Sequence, residues 1–333
     1  MKHKMKPLVK TKDKKKILVI VESPSKIKKI ESILSSLYPD QEFIAKASYG
    51  HIRDLDPKKL SINIDKNFQP IYIQGQNKER VISELKYANK QCQEVWIASD
   101  LDREGESIAW HISQMLKLDS SRRKRIVFSE ITKSALKTAV ENPKDIDISM
   151  FDAQQARRVI DRLIGYLISP ILWKQIQNST KKKVSLSAGR VQSVVMKMII
   201  EREQEIKKFE SSGYYKTSGS FKTKDDEIVN SDLSCQFENK NLTKDFLNKC
   251  QQSTFKIESI DKKKSTRKPS APFITSTLQQ EASTKLRMSP KSTMASAQKL
   301  YEGGYITYMR TDSFDLSQES LDMITNYINQ NYG

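Results

Sequence analysis

The chain has 333 residues, more than a single hydrophobic core usually holds, so we expect more than one domain. It carries 58 Lys and Arg against 40 Asp and Glu, and the resulting net charge of +18 favours a polyanionic partner such as nucleic acid. No stretch approaches the roughly 18 apolar residues of a membrane-spanning helix, and three cysteines without CxxC spacing exclude a zinc finger and favour a reducing, intracellular setting.

The first 16 residues are rich in lysine and lack the apolar stretch of a signal peptide and the arginine-rich pattern of a transit peptide. We interpret them as a solvated basic tail, with a DNA-contacting arm as the alternative. Over residues 17–147 strand and helix patterns alternate, which is typical of an α/β domain with a mostly parallel sheet. Strands are predicted at 17–21, 70–73, 95–99 and 126–128, each followed by a helix, the last one capped by Thr132.

Residues 148–212 have a mainly helical pattern, with breaks predicted near Ser169-Pro170, at the lysine run 181–183 and at Gly189. Residues 213–270 are predicted to form a small β-rich piece, with alternation at 215–221 and 254–260, and to end in a basic linker at 262–272. Residues 271–333 would begin a further helical domain, with helices at 276–287, 291–302 and 321–328.

Acidic residues follow directly on the apolar run 95–98, namely Asp100, Asp102, Glu104 and Glu106. Ligands of open α/β sheets bind at the carboxyl ends of the strands, where this cluster lies. Carboxylates this close repel one another unless a cation lies among them, and hard oxygen ligands suit Mg²⁺. The alternative is an acidic first turn of a helix, which the helix dipole favours.

Glu22 ends the first predicted strand as Asp100 ends a later one, so in a parallel sheet both would face one crevice. Lys26 follows at the start of a helix, where a phosphate is favoured, or else it pairs with Glu22 in solvent. The segments Val-Glu-Ser-Pro-Ser-Lys at 21–26 and Ser-Asp-Leu-Asp-Arg-Glu-Gly-Glu at 99–106 resemble the Toprim domain of topoisomerases and bacterial primases. The resemblance implies a divalent ion on Glu22, Asp100, Asp102 and Glu104.

Residues 301–313, Tyr-Glu-Gly-Gly-Tyr-Ile-Thr-Tyr-Met-Arg-Thr-Asp-Ser, resemble the active-site segment of bacterial-type DNA topoisomerase I, a type IA topoisomerase. The resemblance implies that Tyr308 attacks DNA and that Arg310 binds the phosphate. An isolated tyrosine is more often a half-buried packing residue, and the flanking residues reverse that interpretation. Exchange of one phosphate ester for another needs no ATP, in agreement with the lack of a P-loop pattern.

The proton transfers of this chemistry suit the same residues. A tyrosine, with a pKa near about 10, must lose its proton as it attacks, and the departing 3′ oxygen must gain one. Lys26, Arg310 and the metal would stabilise the charge on the phosphate, and Glu22 is predicted to protonate the leaving oxygen. The predicted catalytic set is Tyr308, Glu22, Lys26, Arg310 and Arg157.

Further segments extend the resemblance. Gly-His-Ile-Arg-Asp-Leu at 50–55 implies a DNA contact by His51, with a packed or turn histidine as the alternative. Gln-Gln-Ala-Arg-Arg-Val-Ile-Asp-Arg at 154–162 implies a helix that grips the DNA backbone, or otherwise a solvated basic face. Ser-Ala-Gly-Arg-Val-Gln-Ser at 187–193 implies backbone amides close to phosphate. The predicted DNA-binding residues are His51, Arg157, Arg158, Asp161, Arg162, Lys174, Ser187, Ala188, Gly189, Arg190, Val191, Gln192 and Arg310.

The expected fold is therefore a Toprim domain followed by a mainly helical domain, a small β-rich piece and the start of a helical domain that carries the tyrosine. Since the family's chains continue further, we interpret this chain as their amino-terminal part. The expected function is ATP-independent, Mg²⁺-assisted relaxation of negatively supercoiled DNA through a 5′-phosphotyrosyl intermediate, by a cytoplasmic, nucleoid-associated monomer that binds single-stranded regions. The alternatives are a fragment that only binds single strands, and a Toprim nuclease or primase, which would not need Tyr308.

Overall fold

The computed structural model describes residues 14–176 and 186–333. Most of the predicted basic tail and the lysine run 181–183 lie outside the described residues. The chain divides into two compact units, one formed by Met1–Arg190 with Ser270–Gly333 and the other by Val191–Pro269. Over the described residues, no helix is both long and apolar enough to cross a membrane.

The described elements follow one another in this order: β1 (Lys15–Val21), a short 3-10 turn (Pro24–Lys26), α1 (Ile27–Leu37), β2 (Gln41–Ala47), β3 (Arg53–Leu55), β4 (Ile62–Asn63), β5 (Gln69–Pro70), β6 (Tyr72–Gln74), α2 (Glu79–Gln91), β7 (Glu94–Ala98), α3 (Arg103–Leu116), β8 (Arg123–Arg125), α4 (Lys133–Glu141), α5 (Ile148–Gln175), α6 (Arg190–Lys208), β9 (Ser218–Lys222), β10 (Ile228–Asp232), α7 (Lys240–Gln251), α8 (Thr275–Leu286), α9 (Pro290–Glu302) and α10 (Gln318–Tyr332).

The first unit is built around a four-stranded parallel sheet in the order β2-β1-β7-β8. Both the parallel sheet and the α/β class of this part confirm the sequence-based expectation. The central strands β1 and β7 pair from Ile17 with Glu94 to Val21 with Ala98, so the two strands end level with each other. The residues that follow them, Glu22 and Ser99, therefore start at the same edge of the sheet.

Two hydrophobic cores cover the two faces of this sheet, because successive side chains of a strand point to opposite sides. Leu18 and Ile20 of β1 pack with α2 and α3, whereas Val19 and Val21 pack with α1 and α4. The second of these cores also contains Tyr301 at the end of α9 and the segment that follows α9. The tyrosine-bearing segment is thus an integral part of the first unit, packed on the sheet itself.

Two predictions about the sheet were wrong. The last strand is Arg123–Arg125 and not 126–128, because Arg123 to Arg125 pair with Val95 to Ile97, while Ile126 and Phe128 are buried without being part of a strand. The segment 70–73 does not join the parallel sheet. Its residues belong to the short antiparallel pairs β4-β5 and β3-β6, and the strand beside β1 is instead β2, which was not predicted.

The helical part of the first unit also differs from the prediction at one point. Helix α5 runs without interruption through Ser169-Pro170, where a break was expected, and Pro170 lies inside it. The predicted break at Gly189 agrees with the start of α6 at Arg190. The three predicted carboxyl-terminal helices correspond to α8, α9 and α10, and Thr132 caps α4 as expected, accepting from the backbone nitrogen of Ala135 at 3.2 Å.

The second unit contains α6, the hairpin β9-β10 and α7. The hairpin confirms the expected β-containing piece. The predicted strand at 254–260 is wrong, since residues 254–260 form neither strand nor helix. Helix α7 was not predicted. Phe221 of β9 packs against Phe255 with ring centroids 4.7 Å apart, so this segment contributes to packing without joining the ladder.

Candidate active site

The acidic loop at the end of β7 leads directly into α3. Asp102 caps this helix, because its carboxylate accepts a hydrogen bond from the backbone nitrogen of Gly105 at 2.8 Å. Glycine is needed at position 105, since a Cβ there would lie 2.1 Å from the carbonyl oxygen of Asp100. The loop is therefore compact, with the Asp100 backbone packed against the first turn of α3.

A buried ion pair holds this loop from the interior. The Arg125 guanidinium is 1% exposed; it donates to Glu106 Oε2 at 3.0 Å and to the carbonyl oxygens of Ser99 and Asp100 at 2.8 and 2.9 Å. Glu106 in turn accepts from the backbone nitrogen of Asp147 at 2.8 Å through its other oxygen. The planar fork of the arginine suits several acceptors at once. These bonds fix the backbone of the acidic loop.

Lys26 lies at the same edge and is fully buried. It ends the short turn after β1, and its ammonium group pairs with the carboxylate of Asp100. The ring of Tyr301 covers the ammonium group on another side, with 4.9 Å from Nζ to the ring centroid. A buried charge needs such partners, because it has lost its hydration shell. The alternative of a solvent-exposed pair with Glu22 is thus wrong.

Tyr308 reaches this edge from a distant part of the chain, and it is only 7% exposed. Its backbone nitrogen donates to the carbonyl oxygen of Ser129 at 2.7 Å, and its hydroxyl donates to Asp102 Oδ2. Burial raises the pKa of Tyr308 well above its ordinary range, and the bond to Asp102 acts in the same direction. An attack by this hydroxyl therefore requires a proton acceptor, and Asp102 is already in contact with the proton.

Arg310 and His51 meet the outer carboxylates. Arg310 Nη1 lies 3.3 Å from Asp102 Oδ2 and 3.2 Å from Glu104 Oε2, and it is half exposed. His51 Nε2 lies 3.7 Å from Glu104 Oε1. The contact with His51 lowers the pKa of Glu104 to about 2, and Arg310 acts in the same direction. Glu104 therefore stays ionised at neutral pH.

Glu22 differs from Glu104 in its protonation. Burial raises the pKa of Glu22 to about 7, and the negative charge of Asp100 acts in the same direction, while Lys26 opposes it. At neutral pH this carboxyl group therefore carries a proton for a substantial fraction of the time. Neighbouring carboxyl groups with pKa values this far apart are typical of sites in which one group donates a proton and the other stays ionised. Here Glu22 would be the donor and Glu104 the ionised group.

A cavity of about 640 Å³ opens beside the carboxylates. It contains part of the predicted DNA-binding set and five arginines, and its lining includes His51, Asp102, Glu104, His111, Arg53, Arg103, Arg157, Arg158, Asp161 and Arg310. Arg158 of α5 pairs with Asp54 of β3 at 2.5 Å, so α5 is held against the strand that follows His51. The five arginines could bind a phosphate backbone, although the lining also contains the carboxylates of Asp54, Asp102, Glu104 and Asp161.

The remaining predicted DNA-binding residues lie farther along the chain, most of them in the same unit. Arg190 pairs with Asp161 at 2.7 Å, and the backbone nitrogen of Ala188 donates to Ser169 Oγ at 2.9 Å. These bonds attach the segment before α6 to α5. Arg162 and Lys174 also lie on α5, Ser187 and Gly189 lie in the attached segment, and Val191 and Gln192 begin the second unit. Their roles in binding stay predictions.

The four predicted metal ligands lie at one edge but do not form a ready coordination set. Among the described residues, no three His, Cys, Asp or Glu side chains converge on a common point suitable for a metal ion. Protein groups occupy the carboxylates instead, since Asp100 binds Lys26 and Asp102 binds Tyr308. The donor chemistry still fits a hard divalent cation, because all four are carboxylates and Glu22 is close enough to the other three for their charges to raise its pKa.

Two buried residues that contact Asp100 were not predicted. Tyr301 is fully buried and its hydroxyl lies 3.4 Å from Asp100 Oδ1, although its place seven residues before Tyr308 was visible in the motif. Arg125 is buried behind the loop, and nothing in the basic run Arg123-Lys124-Arg125 distinguishes it from a solvated residue. Burial of an arginine depends on tertiary structure, which local patterns do not contain.

Comparison with known proteins agrees with this geometry. The Toprim domain model matches residues 17–131, and the DNA topoisomerase family model matches residues 145–333. The chain is 46% identical to the DNA topoisomerase 1 type prokaryotic of Acanthamoeba polyphaga mimivirus, over 95% of this chain and 38% of that protein. It also resembles full-length topoisomerase I from Thermotoga maritima, with a TM-score of 0.76 and 38% identity over 95% of this chain and 53% of that one.

The chain is thus a Toprim protein in which a buried tyrosine and an arginine-lined cavity lie at the acidic edge of the sheet. The chain belongs to the DNA topoisomerase family, and within it to type IA. This confirms the family and the multidomain fold expected from the sequence. The chain spans about half the length of the Thermotoga structure and less of the viral relative.

Proposed function

We propose that the protein is an isomerase that relaxes negatively supercoiled DNA without ATP, by cutting one strand through Tyr308, passing a strand and resealing the cut. The observation that carries the proposal is the hydrogen bond from the Tyr308 hydroxyl to Asp102 at the acidic edge, beside the arginine-lined cavity. This contact supports the proposal because cleavage needs a nucleophile, a proton acceptor and cations for the phosphate close together.

The cleavage step follows from these contacts. Tyr308 Oη attacks the phosphorus atom while its proton moves to Asp102, and the bond from phosphorus to the 3′ oxygen breaks. Glu22, with its pKa of about 7, gives its proton to the departing 3′ oxygen. The products are a 5′-phosphotyrosyl linkage and a free 3′ hydroxyl, and religation reverses each transfer. One ester is exchanged for another, so no nucleotide is consumed.

Cations stabilise the charge that builds on the phosphate during this exchange. Lys26 is fixed beside Asp100, and Arg310 reaches the same edge from the tyrosine segment. Arg157 lines the cavity on α5. A Mg²⁺ ion, held by carboxylates from the set Glu22, Asp100, Asp102 and Glu104, would add charge stabilisation and fix the ends of the cut strand.

The same features support the proposed partners and setting. The arginine-lined cavity suits a single-stranded region of DNA, since an open strand can bring one phosphate to a recessed tyrosine. A monomer supplies all of the residues invoked, because every one of them lies in this chain. The free cysteines Cys92, Cys235 and Cys250 support a reducing cytoplasm, where the protein would meet the nucleoid.

The test is covalent capture of a single-stranded oligonucleotide labelled at its 3′ end. The labelled fragment should stay on the protein after denaturation, and Tyr308→Phe should abolish capture while single-strand binding remains nearly unchanged, because only the attacking oxygen is lost. A labelled fragment released with a free 5′ phosphate and no adduct would indicate a Toprim nuclease. Binding without any cleavage would indicate a binding fragment.

A further inference from the structure

Tyr301 lies in the tyrosine motif, and the proposed reaction gives it no role. It is buried completely in the last turn of α9, so neither DNA nor water reaches its ring. Its neighbours nevertheless include three groups of the proposed centre. The Lys26 ammonium lies 4.9 Å from its ring centroid, its hydroxyl lies 3.4 Å from Asp100 Oδ1, and its ring meets that of Tyr308 edge-on with 5.2 Å between centroids.

We propose that Tyr301 is a positioning residue that sets the Lys26 ammonium group and the Tyr308 ring for phosphoryl transfer, an inference that rests on the proposed function. Its ring face stabilises a cation that has been removed from water, which is where cation–π attraction is strongest. Its edge contact limits the orientations of the Tyr308 ring, because aromatic pairs prefer such tilted arrangements.

The connection between the two tyrosines makes this role specific. Helix α9 ends just after Tyr301, and the turn that follows contains Gly304 in the left-handed region with φ +71°. Lys29 donates to the carbonyl oxygen of Gly303 at 2.5 Å, and Ser25 donates to Glu302 at 2.6 Å. The backbone beside Tyr301 is therefore bonded to the segment around Lys26. These bonds hold the Tyr301 ring in place against Lys26 and Tyr308.

A plain packing role is the competing explanation, and the two differ in what they predict. Packing depends on ring shape alone, whereas the proposed role depends on the negative ring face and on the presence of Lys26. Ring fluorination keeps the shape of the side chain and weakens the attraction to a cation. If a ring substitution slows cleavage by weakening the contact with Lys26, it should have no further effect once Lys26 itself is replaced. Both substitutions then remove the same interaction.

The experiment uses the full chain and the 3′-labelled single-stranded oligonucleotide, and measures the rate of adduct formation and DNA binding separately. Position 301 is changed to phenylalanine, to phenylalanine with three ring fluorines, and to leucine, each with Lys26 or with Lys26→Met. Tyr38→Leu is the matched control, since Tyr38 packs on the same core and against Phe43 but does not touch the centre. Melting curves identify any variant that does not fold.

We expect Tyr301→Phe to cleave within about threefold of the unmodified protein, because the ring face remains. The fluorinated ring and Tyr301→Leu should slow cleavage on the order of 10-fold relative to Tyr301→Phe, with binding unchanged within about twofold. With Lys26→Met the difference between the fluorinated ring and Tyr301→Phe should shrink below about twofold, whereas Tyr301→Leu should keep the part of its loss that comes from the missing contact with the Tyr308 ring. Tyr38→Leu should leave the cleavage rate nearly unchanged.

Several results would overturn the inference. Equal cleavage rates for the fluorinated and unfluorinated phenylalanine at position 301 would overturn it. The two rings have the same shape, so misfolding could not explain that result. Losses at Tyr301 and Lys26 that multiply independently would show that the two residues act separately, and equal losses in binding and cleavage would reduce Tyr301 to packing. If the unmodified protein forms no adduct that depends on Tyr308, the proposed function itself fails, and the inference fails with it.

Discussion

His111 provides a direct test of the packing around the cavity. Its side chain is 1% exposed, and Tyr72, Trp110 and Phe151 surround its ring with centroids 4.5, 5.0 and 6.0 Å away. Its Nδ1 atom has no hydrogen-bond partner among the residues that the structure describes. Burial lowers the pKa of His111 from 6.5 to about 3, and the positive charge of Arg53 acts in the same direction. The folded protein therefore keeps this ring neutral.

The unfolded chain takes up a proton at this histidine as the pH falls below 6.5, whereas the folded protein resists it until about pH 3. The stability contributed by the neutral ring is thus complete above pH 6.5 and is lost as the pH falls. The slope reaches about 1.4 kcal/mol per pH unit, and the loss at about pH 5 is about 2 kcal/mol. That is a large fraction of the stability of an ordinary domain.

The assay is urea unfolding between about pH 7.5 and about pH 5, followed by tryptophan fluorescence. All three tryptophans, Trp96, Trp110 and Trp173, lie in the first unit, so the signal reports that unit. His111→Phe is the control, because it keeps an aromatic ring and removes the titration, and the contribution of the carboxylates cancels in the difference. If both proteins lost the same stability over this range, His111 would not be held neutral and the reasoning would be refuted.

Two further predictions concern charges at the acidic edge. Arg310→Ala should lower adduct formation by a factor of roughly 10²–10³ with only a modest loss of binding, as for a lost donor to the transition state; equal losses in separate binding and cleavage assays would make it an ordinary backbone contact. Arg125→Met should cost about 3–5 kcal/mol of unfolding free energy because it leaves Glu106 buried without its partner, and adding Glu106→Leu should recover part of that cost. Urea unfolding checks this, and a double variant no more stable than Arg125→Met would contradict it.

The parts of the fold that were predictable are those whose apolar pattern is strong over a short window. Strand β1 is a continuous apolar run, and helix α1 repeats apolar residues at helical spacing. Strand β2 escaped prediction because its buried residues are Phe43, Ala45 and Ala47, and two alanines give little hydrophobic signal. Helix α5 passes through Pro170 despite the local cost of proline, and on either side of it Ser169 accepts from the backbone of Ala188 and Trp173 donates to that of Leu186.

The candidate site also has a part that the sequence predicts and a part that it does not. The convergence of Glu22 with Asp100 and Asp102 follows from two strands that end at one edge of a parallel sheet, and the sequence contains that information. The contacts of Tyr308 with Asp102 and of Lys26 with Tyr301 depend on how α9 packs on the sheet. Such packing joins residues that are hundreds of positions apart, and no local pattern specifies it.

The way in which the acidic loop is held explains how carboxylates can be crowded at one edge. Loops rich in like charges open unless something else fixes their backbone. At Asp100 the fixing contacts involve backbone atoms, since Arg125 binds the carbonyl oxygens of Ser99 and Asp100, and Gly105 packs against the Asp100 backbone. The loop conformation therefore does not depend on the Asp100 carboxylate, which is left to bind Lys26. A fold that fixes the loop through its backbone leaves that carboxylate available to exchange cations in the proposed phosphoryl transfer.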